Sequence, residues 1–204
     1  APMRIICVET AISPKLDAVV INDADGIALM TEYLIRSGCR RFAHIAAPNQ
    51  YFHAKNRRKG FLTALMLNGI PADQAVIAEG NFTCRSGYNA MVEILDSGKT
   101  VDAVVCGNDQ MAIGALYCLK ERGIRVPEDI AVAGFNDNVP ASLVTPSLTT
   151  MRVPKAEMGS CAFDLFQRRN GGDQSARIQI QLGSELIVRQ STDANAQTTW
   201  ELDW

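Results

Sequence analysis

From residue 40 onward the chain alternates short, nearly continuous apolar runs with longer segments of helical period, and each apolar run ends in a small or polar loop. The runs are FAHIA (42–46), AVIAEG (75–80), VDAVVC (101–106) and IAVAGF (130–135). Apolar character without alternation is what parallel strands covered on both faces require. Such runs alternating with helical patterns spell βαβ units. Three helices are predicted between them. Residues 54–68 put Phe61, Ala64 and Leu65 on one face and stop at Asn68-Gly69-Ile70-Pro71, with glycine just past the end and proline beyond. Residues 84–97 end near Asp96-Ser97-Gly98. The third helix starts at Asn108-Asp109, where either side chain is able to cap free backbone N–H groups, aligns Met111, Ala115 and Leu119, and stops at Gly123.

Upstream, RIICVE (4–9) predicts another strand, and residues 23–37 a helix with Ile27, Met30 and Leu34 on one face. Downstream, a helix over 154–169 opens on Pro154, a good first-turn residue. RIQIQL (177–182) and ELIVRQ (185–190) then read as strands around a Gly183-Ser184 turn. The final stretch, DANAQTTWELDW (193–204), is polar and without period; it is expected to be a mobile tail, with Trp200 and Trp204 as docking candidates. The pattern predicts a doubly wound α/β lobe over roughly 42–150, flanked by segments of a neighbouring lobe.

A length of 204 residues fits one large domain or two small lobes. With 47% hydrophobic and 21% charged residues, disorder, coiled coil and collagen are excluded. Twenty basic against 22 acidic residues leave a net charge of -2, so this chain alone is not expected to grip DNA. No stretch approaches the length of a membrane span, and the opening APMRIICVET lacks the apolar core and cleavage site of a signal peptide. The six cysteines, Cys7, Cys39, Cys84, Cys106, Cys118 and Cys161, never fall in CxxC spacing and read as reduced core residues of a cytoplasmic protein. With only His44 and His53 beside them, neither a metal nor a cofactor is expected.

There is no GxSxG elbow, no GxxxxGK[ST] loop, no HExxH and no GxGxxG after a strand, which argues against a nucleotide-dependent enzyme. An α/β enzyme using Cys or Asp chemistry, such as Cys84 or Cys106 with His44 or His53, stays open as a third reading. Open α/β sheets bind ligands beyond the carboxyl ends of their strands. After FAHIA comes the loop APNQYFH, ending on His53, and then Arg57. After AVIAEG comes Asn81-Phe82, after VDAVVC Gly107-Asn108-Asp109, and after IAVAGF Asn136-Asp137. Arginine presents a fork of donors to vicinal hydroxyls or a carboxylate, an aromatic ring stacks on a sugar face or base, and amides both donate and accept. Each has a duller reading: Arg57-Arg58-Lys59 as a solvated helix face, Phe82 as core, Asn108 or Asp109 as a helix cap, Asn136-Asp137 as a turn. Only their shared address at the strand ends favours a ligand cleft.

Seven stretches in order, INDADGIALMTEYLIRSGCRRFAHI, RRKGF, GNFTCRSGYNAM, DAVVCGNDQMAIGAL, GIRVPEDIAVAGFND, TPSLTTMRVPKAEMG and ELIVRQST, resemble the LacI/GalR (lactose-repressor) family of bacterial transcriptional regulators over about 20–192. The resemblance implies a periplasmic-binding-protein-like fold, doubly wound parallel sheets in two lobes crossed three times by the chain. Residues 1–41 and 152–184 would form a partial N-terminal lobe, and 42–151 with 185–192 the C-terminal effector-binding lobe. It further implies truncation, of a regulator cut to a fragment or of a gene product shortened at its start, because neither the helix-turn-helix nor the first three strands and two helices of the N-terminal lobe are in this sequence. The intact protein would be a cytoplasmic homodimer that binds operator DNA only through that missing part and responds to a small-molecule effector, sugar or sugar derivative. By position, Arg57 matches the effector-clamping arginine of the RxxG pattern and Phe82 the aromatic after the GN strand end. Asn108 matches the contact in NDQMA, Asp25 the acidic residue of the DG helix start, and His53 a polar loop position. Asn136 stands where the family usually carries Asp, and Val153 where a Gln often sits, so the effector is expected to be less polar, differently charged, or not a simple sugar. The competing reading is a solute-binding protein of sugar transport, which shares the fold but lacks the NDQMAIGAL and PSLTTMRVP wording.

Overall fold

The computed structural model describes residues 5–11, 13 and 15–197. In chain order it runs β1 (Ile6–Glu9), β2 (Asp17–Ile21), α1 (Asp23–Arg36), β3 (Phe42–Ala46), α2 (Phe52–Leu67), β4 (Val76–Glu79), α3 (Cys84–Asp96) and β5 (Ala103–Cys106). It continues through α4 (Asp109–Glu121), β6 (Ala131–Asn136), the short α5 (Pro140–Leu143), β7 (Thr149–Arg152), α6 (Lys155–Asn170), β8 (Gln179–Leu182) and β9 (Glu185–Ile187). The strands form two sheets, a three-stranded one in the order β1-β2-β8 and a six-stranded one in the order β4-β3-β5-β6-β7-β9. Every pairing is parallel except β7 with β9.

The unalternating apolar runs are explained by helices on both faces of the larger sheet. Ala43, Ile45, Val104, Cys106 and Val132 belong to one core with Met91 and Ile94 of α3 and Met111, Ala115 and Leu119 of α4. The intervening positions Phe42, Ala103, Val105, Ala133 and Phe135 belong to a second core with Ile27, Met30 and Leu34 of α1 and Phe61 and Leu65 of α2. Close helix contact needs glycine at particular points: a Cβ on Gly114 would lie 1.9 Å from the Cys84 carbonyl oxygen, and one on Gly60 2.1 Å from that of Ala24.

Two strands escape the sequence pattern. DAVVI is buried throughout yet opens on a charge, and TTMR runs through two hydroxyls, a thioether and a guanidinium. The charge is there because Asp17 forms a two-bond fork with Arg169 of α6, at 2.6 and 2.7 Å. The expected turn at Gly183-Ser184 joins no hairpin: β8 ends the small sheet and β9 begins at the edge of the large one. The sequence reading also placed residues 1–41 together in one lobe. Instead α1 lies on α2 and on the large sheet, because its Ile27-Met30-Leu34 stripe is complementary to Phe61 and Phe135. The passage between sheets therefore falls at Asn22, directly before α1. Of the expected tail, residues 193–197 make a local turn in which Asp193 accepts from the Asn195 and Ala196 backbone amides. Trp200 and Trp204 lie outside the described residues.

Candidate functional site

The parallel strands β3, β4, β5 and β6 end on one rim of the large sheet, and β1 ends facing it. Residues at the ends of β1, β5 and β6 meet Arg57, and those after β3 and β4 form an aromatic cluster. In α2, Ala54, Arg57, Gly60, Phe61 and Ala64 share the buried stripe, so the arginine is only 2% exposed although Arg58 and Lys59 beside it are not buried. Its Nε donates to Asp23 Oδ1 at 2.7 Å and one terminal nitrogen donates to the Gly107 carbonyl at 2.8 Å. Its guanidinium carbon sits 3.9 Å from the centroid of the Phe135 ring. The second terminal nitrogen is held loosely, with Asn136 Oδ1 at 3.5 Å and Glu9 Oε1 at 3.9 Å. A cation excluded from water has to be paired, and here the partner is a carboxylate that is itself 2% exposed. Burial pushes the Asp23 carboxyl above the ordinary carboxylate range, and Arg57 pulls the other way.

Beside Arg57 stands an aromatic wall. The Phe82 ring lies 5.4 Å from those of both Tyr51 and His53, which are 5.7 Å from each other. Phe82 occupies the left-handed region at φ 70°. That uncommon conformation turns its carbonyl to accept from Asn108 Nδ2 at 3.0 Å. His53 Nδ1 is buried without a hydrogen-bond partner. Burial, and then Arg57, lower its basicity, so the ring is a neutral donor and acceptor at pH 7.

Five of the six residues singled out from sequence are thus brought to one rim: Arg57, Phe82, Asn108, Asn136 and His53. The structure changes the role of Asn108, whose Oδ1 caps α4 by accepting from the Met111 amide at 2.9 Å while its amide group anchors the Phe82 loop. Asp25 does not join the cluster. A helix turns about 100° per residue, so Asp23 meets Arg57 while Asp25 bonds to Asn22 and lines a separate cavity of about 320 Å³ with Gly26, Leu29 and Gly183. Asp23 and Glu9 were missed. The strand-end rule applied to RIICVE would have picked out Glu9, and helical phase would have separated Asp23, which continues the Ile27-Met30-Leu34 face by one turn, from Asp25 on the opposite side.

Around the rim the remaining charges are committed to holding loops. Asp137 accepts from Arg152 Nε at 2.7 Å and from Arg189 at 2.8 Å. Burial opposes its ionisation, but the two arginines prevail and hold the carboxyl below its usual range. Asp109 accepts from the Asn138 amide at 2.7 Å and from Thr150 Oγ1 at 2.5 Å, and burial lifts it to about 6. Nothing here is primed as a nucleophile: burial pushes the Cys106 thiol up and holds His44 at about 4. His44 donates from Nδ1 to the Val105 carbonyl at 2.7 Å and stacks on Phe61, which makes it a core residue. Among the described residues no three His, Cys, Asp or Glu side chains are grouped to hold a metal ion.

A periplasmic binding protein-like domain matches residues 31–192. The regulator CelR of Thermobifida fusca, described as an HTH-type transcriptional regulator, is 36% identical over 177 residues. The solved transcriptional regulator CelR-cellobiose complex superposes with a TM-score of 0.86 at 33% identity over 91% of this chain and 58% of that one. The chain belongs to the LacI family. The HTH-type transcriptional repressor PurR of Edwardsiella ictaluri is 35% identical over 93% of the chain. A LacI family transcriptional regulator from Enterococcus faecium, solved with bound ribose, superposes with a TM-score of 0.85 at 27% identity, covering 93% of this chain and 70% of that one. The match to CelR takes in 87% of this chain and 52% of the relative, that to PurR 56% of the relative, so the chain spans about half the length of these LacI family regulators.

Proposed function

We propose that this LacI family chain is the effector-binding portion of a transcriptional regulator. It takes a small molecule, a sugar or sugar derivative, and couples its binding to the operator affinity of a helix-turn-helix elsewhere in the full-length protein. The observation that carries this is the placement of Arg57. Its loosely held terminal nitrogen looks out between Asn136 of the large sheet and Glu9 of the small one. A ligand bound there touches both sheets, so its affinity depends on how they are arranged. Ligand binding then shifts the population towards the arrangement it favours. The protein is a binder and not an enzyme, and acts in the cytoplasm; among the described residues no helix is long and apolar enough to cross a membrane.

We further propose a homodimer. A groove of about 460 Å³ between α3 and α4, lined by Tyr88, Ile113 and Tyr117, supports it, with Tyr117 57% exposed. The transport reading finds less support, since the relatives above are named as transcriptional regulators. A thermal-shift panel of cellobiose, ribose, galactose, sugar acids and nucleobases tests the effector reading, because a ligand of the folded state raises Tm. A hit whose Tm shift shrinks in Phe82→Ala is the expected result. A panel with no hit, repeated on the full-length regulator, refutes it.

A further inference from the structure

We propose that Glu9 sets the charge selectivity of this cleft, so that it accepts hydroxyl-bearing, uncharged ligands and rejects phosphorylated or carboxylated ones. The inference rests on the site proposed above and specifies its ligand class. One fully buried cation faces the gap, and its charge is already balanced by Asp23 at 2.7 Å. The next charge outward is the Glu9 carboxylate, half exposed, 3.9 Å from the loosely held nitrogen of Arg57. The other arginines of the rim are engaged as well: Arg152 with Asp137 and Glu185, and Arg189 with Asp137. Lys155 donates to the Asp137 carbonyl and to Asn138 Oδ1. Among these groups the four cations Arg57, Arg152, Arg189 and Lys155 are matched by the four carboxylates Asp23, Asp137, Glu185 and Glu9.

The pairing also reads chemistry beyond charge. Arg57 offers only donors and Glu9 only acceptors. A hydroxyl fits between them by accepting from the guanidinium and donating to the carboxylate. A fully ionised phosphate or carboxylate accepts from Arg57 but has no proton for Glu9, and it faces that carboxylate as a like charge. Specificity by an element that repels the wrong ligand is a common device. Glu9 suits this role because it ends β1, in the left-handed region at φ 69°, with its side chain in the gap rather than in a core. Its replacement therefore leaves the packing untouched.

The test compares wild type with Glu9→Gln by isothermal titration calorimetry at low salt, using inorganic phosphate, ribose 5-phosphate, ribose and cellobiose, with circular dichroism to verify the fold. Glu9→Gln is expected to bind phosphate and ribose 5-phosphate at least tenfold more tightly than wild type, without a matching gain for ribose or cellobiose. Equal anion affinity in the two proteins, including no binding by either, overturns the proposal, as does a wild type that prefers ribose 5-phosphate to ribose. If neither uncharged sugar binds either protein, the effector reading is weakened, while the phosphate comparison still decides the role of Glu9.

Discussion

Replacing Arg57 with alanine should be costly well beyond any loss of ligand. The substitution strands the Asp23 carboxylate, 2% exposed, with no cation in reach, and breaking a buried pair from one side typically costs about 3–5 kcal/mol. The Gly107 carbonyl loses its 2.8 Å donor, worth about 1–3 kcal/mol when buried and unsatisfied. The Phe135 ring loses a cation 3.9 Å away, which adds about 2 kcal/mol where water is excluded. These terms share one side chain and do not add, so the expected loss is about 4 kcal/mol, a large part of the 5–15 kcal/mol of an ordinary domain. The loss should also depend on pH. Without Arg57 the folded-state pKa of Asp23 rises further above its unfolded value. The penalty is then fully present above the folded pKa and disappears as the pH falls below about 4. Urea titrations of wild type, Arg57→Ala, Asp23→Asn and the double variant at pH 8 and pH 4.5 measure all of this. The double variant should be more stable than Arg57→Ala, with a coupling of about 2 kcal/mol. An Arg57→Ala protein within about 1 kcal/mol of wild type, an ordinary point-mutation effect, or no rescue by Asp23→Asn would refute the reasoning.

Three other outcomes are expected. Gly114→Ala forces a methyl group onto the Cys84 carbonyl, 1.9 Å away, and should destabilise by about 3 kcal/mol as α3 and α4 are pushed apart, read as a drop in Tm. Burial lowers His44 from 6.5 to about 4, so folded-state protonation is disfavoured and stability is lost as the pH falls from about 6.5 to 4, by about 3 kcal/mol in all. Asp109, raised to about 6, acts in the opposite sense over part of that range, so the His44 contribution is the difference in urea midpoint against pH between wild type and His44→Leu; parallel curves would sink it. Phe82→Ala should weaken the best uncharged ligand of the panel about tenfold by calorimetry, since a stacked ring contributes about 0.5–1.5 kcal/mol beyond its area. An unchanged affinity would remove the aromatic wall from the site.

The strand-end rule picked out residues that gather on one rim because a parallel sheet puts its carboxyl ends together, so residues far apart in sequence arrive at a common place. Arg57 was legible as a member of that set, yet its burial was not. Three successive basic residues look alike in sequence, and only the stripe Ala54-Arg57-Gly60-Phe61 against the sheet distinguishes the first of them. Asn108 is the reverse case: the helix cap legible in the sequence is present, its oxygen holding α4, while the bond of its nitrogen to the Phe82 loop was not legible.

What the sequence by itself determined is whatever depends on local period and on chain order. The apolar runs of β3, β5 and β6, the glycine and proline stops and the Asn108 cap are short-range properties, and the order of motifs was enough to point to the family. Only the tertiary structure decided the rest. Whether α1 sits with the small sheet or the large one turns on the fit of Ile27, Met30 and Leu34 against Phe61 and Phe135. Whether β8 and β9 form a hairpin or part company turns on which sheet each edge completes. Helical phase puts Asp23 on the Ile27-Met30-Leu34 face, but that this face meets Arg57 is decided by the packing of α1 on α2. Each is a long-range contact, and its energy exists only once both partners have been brought together.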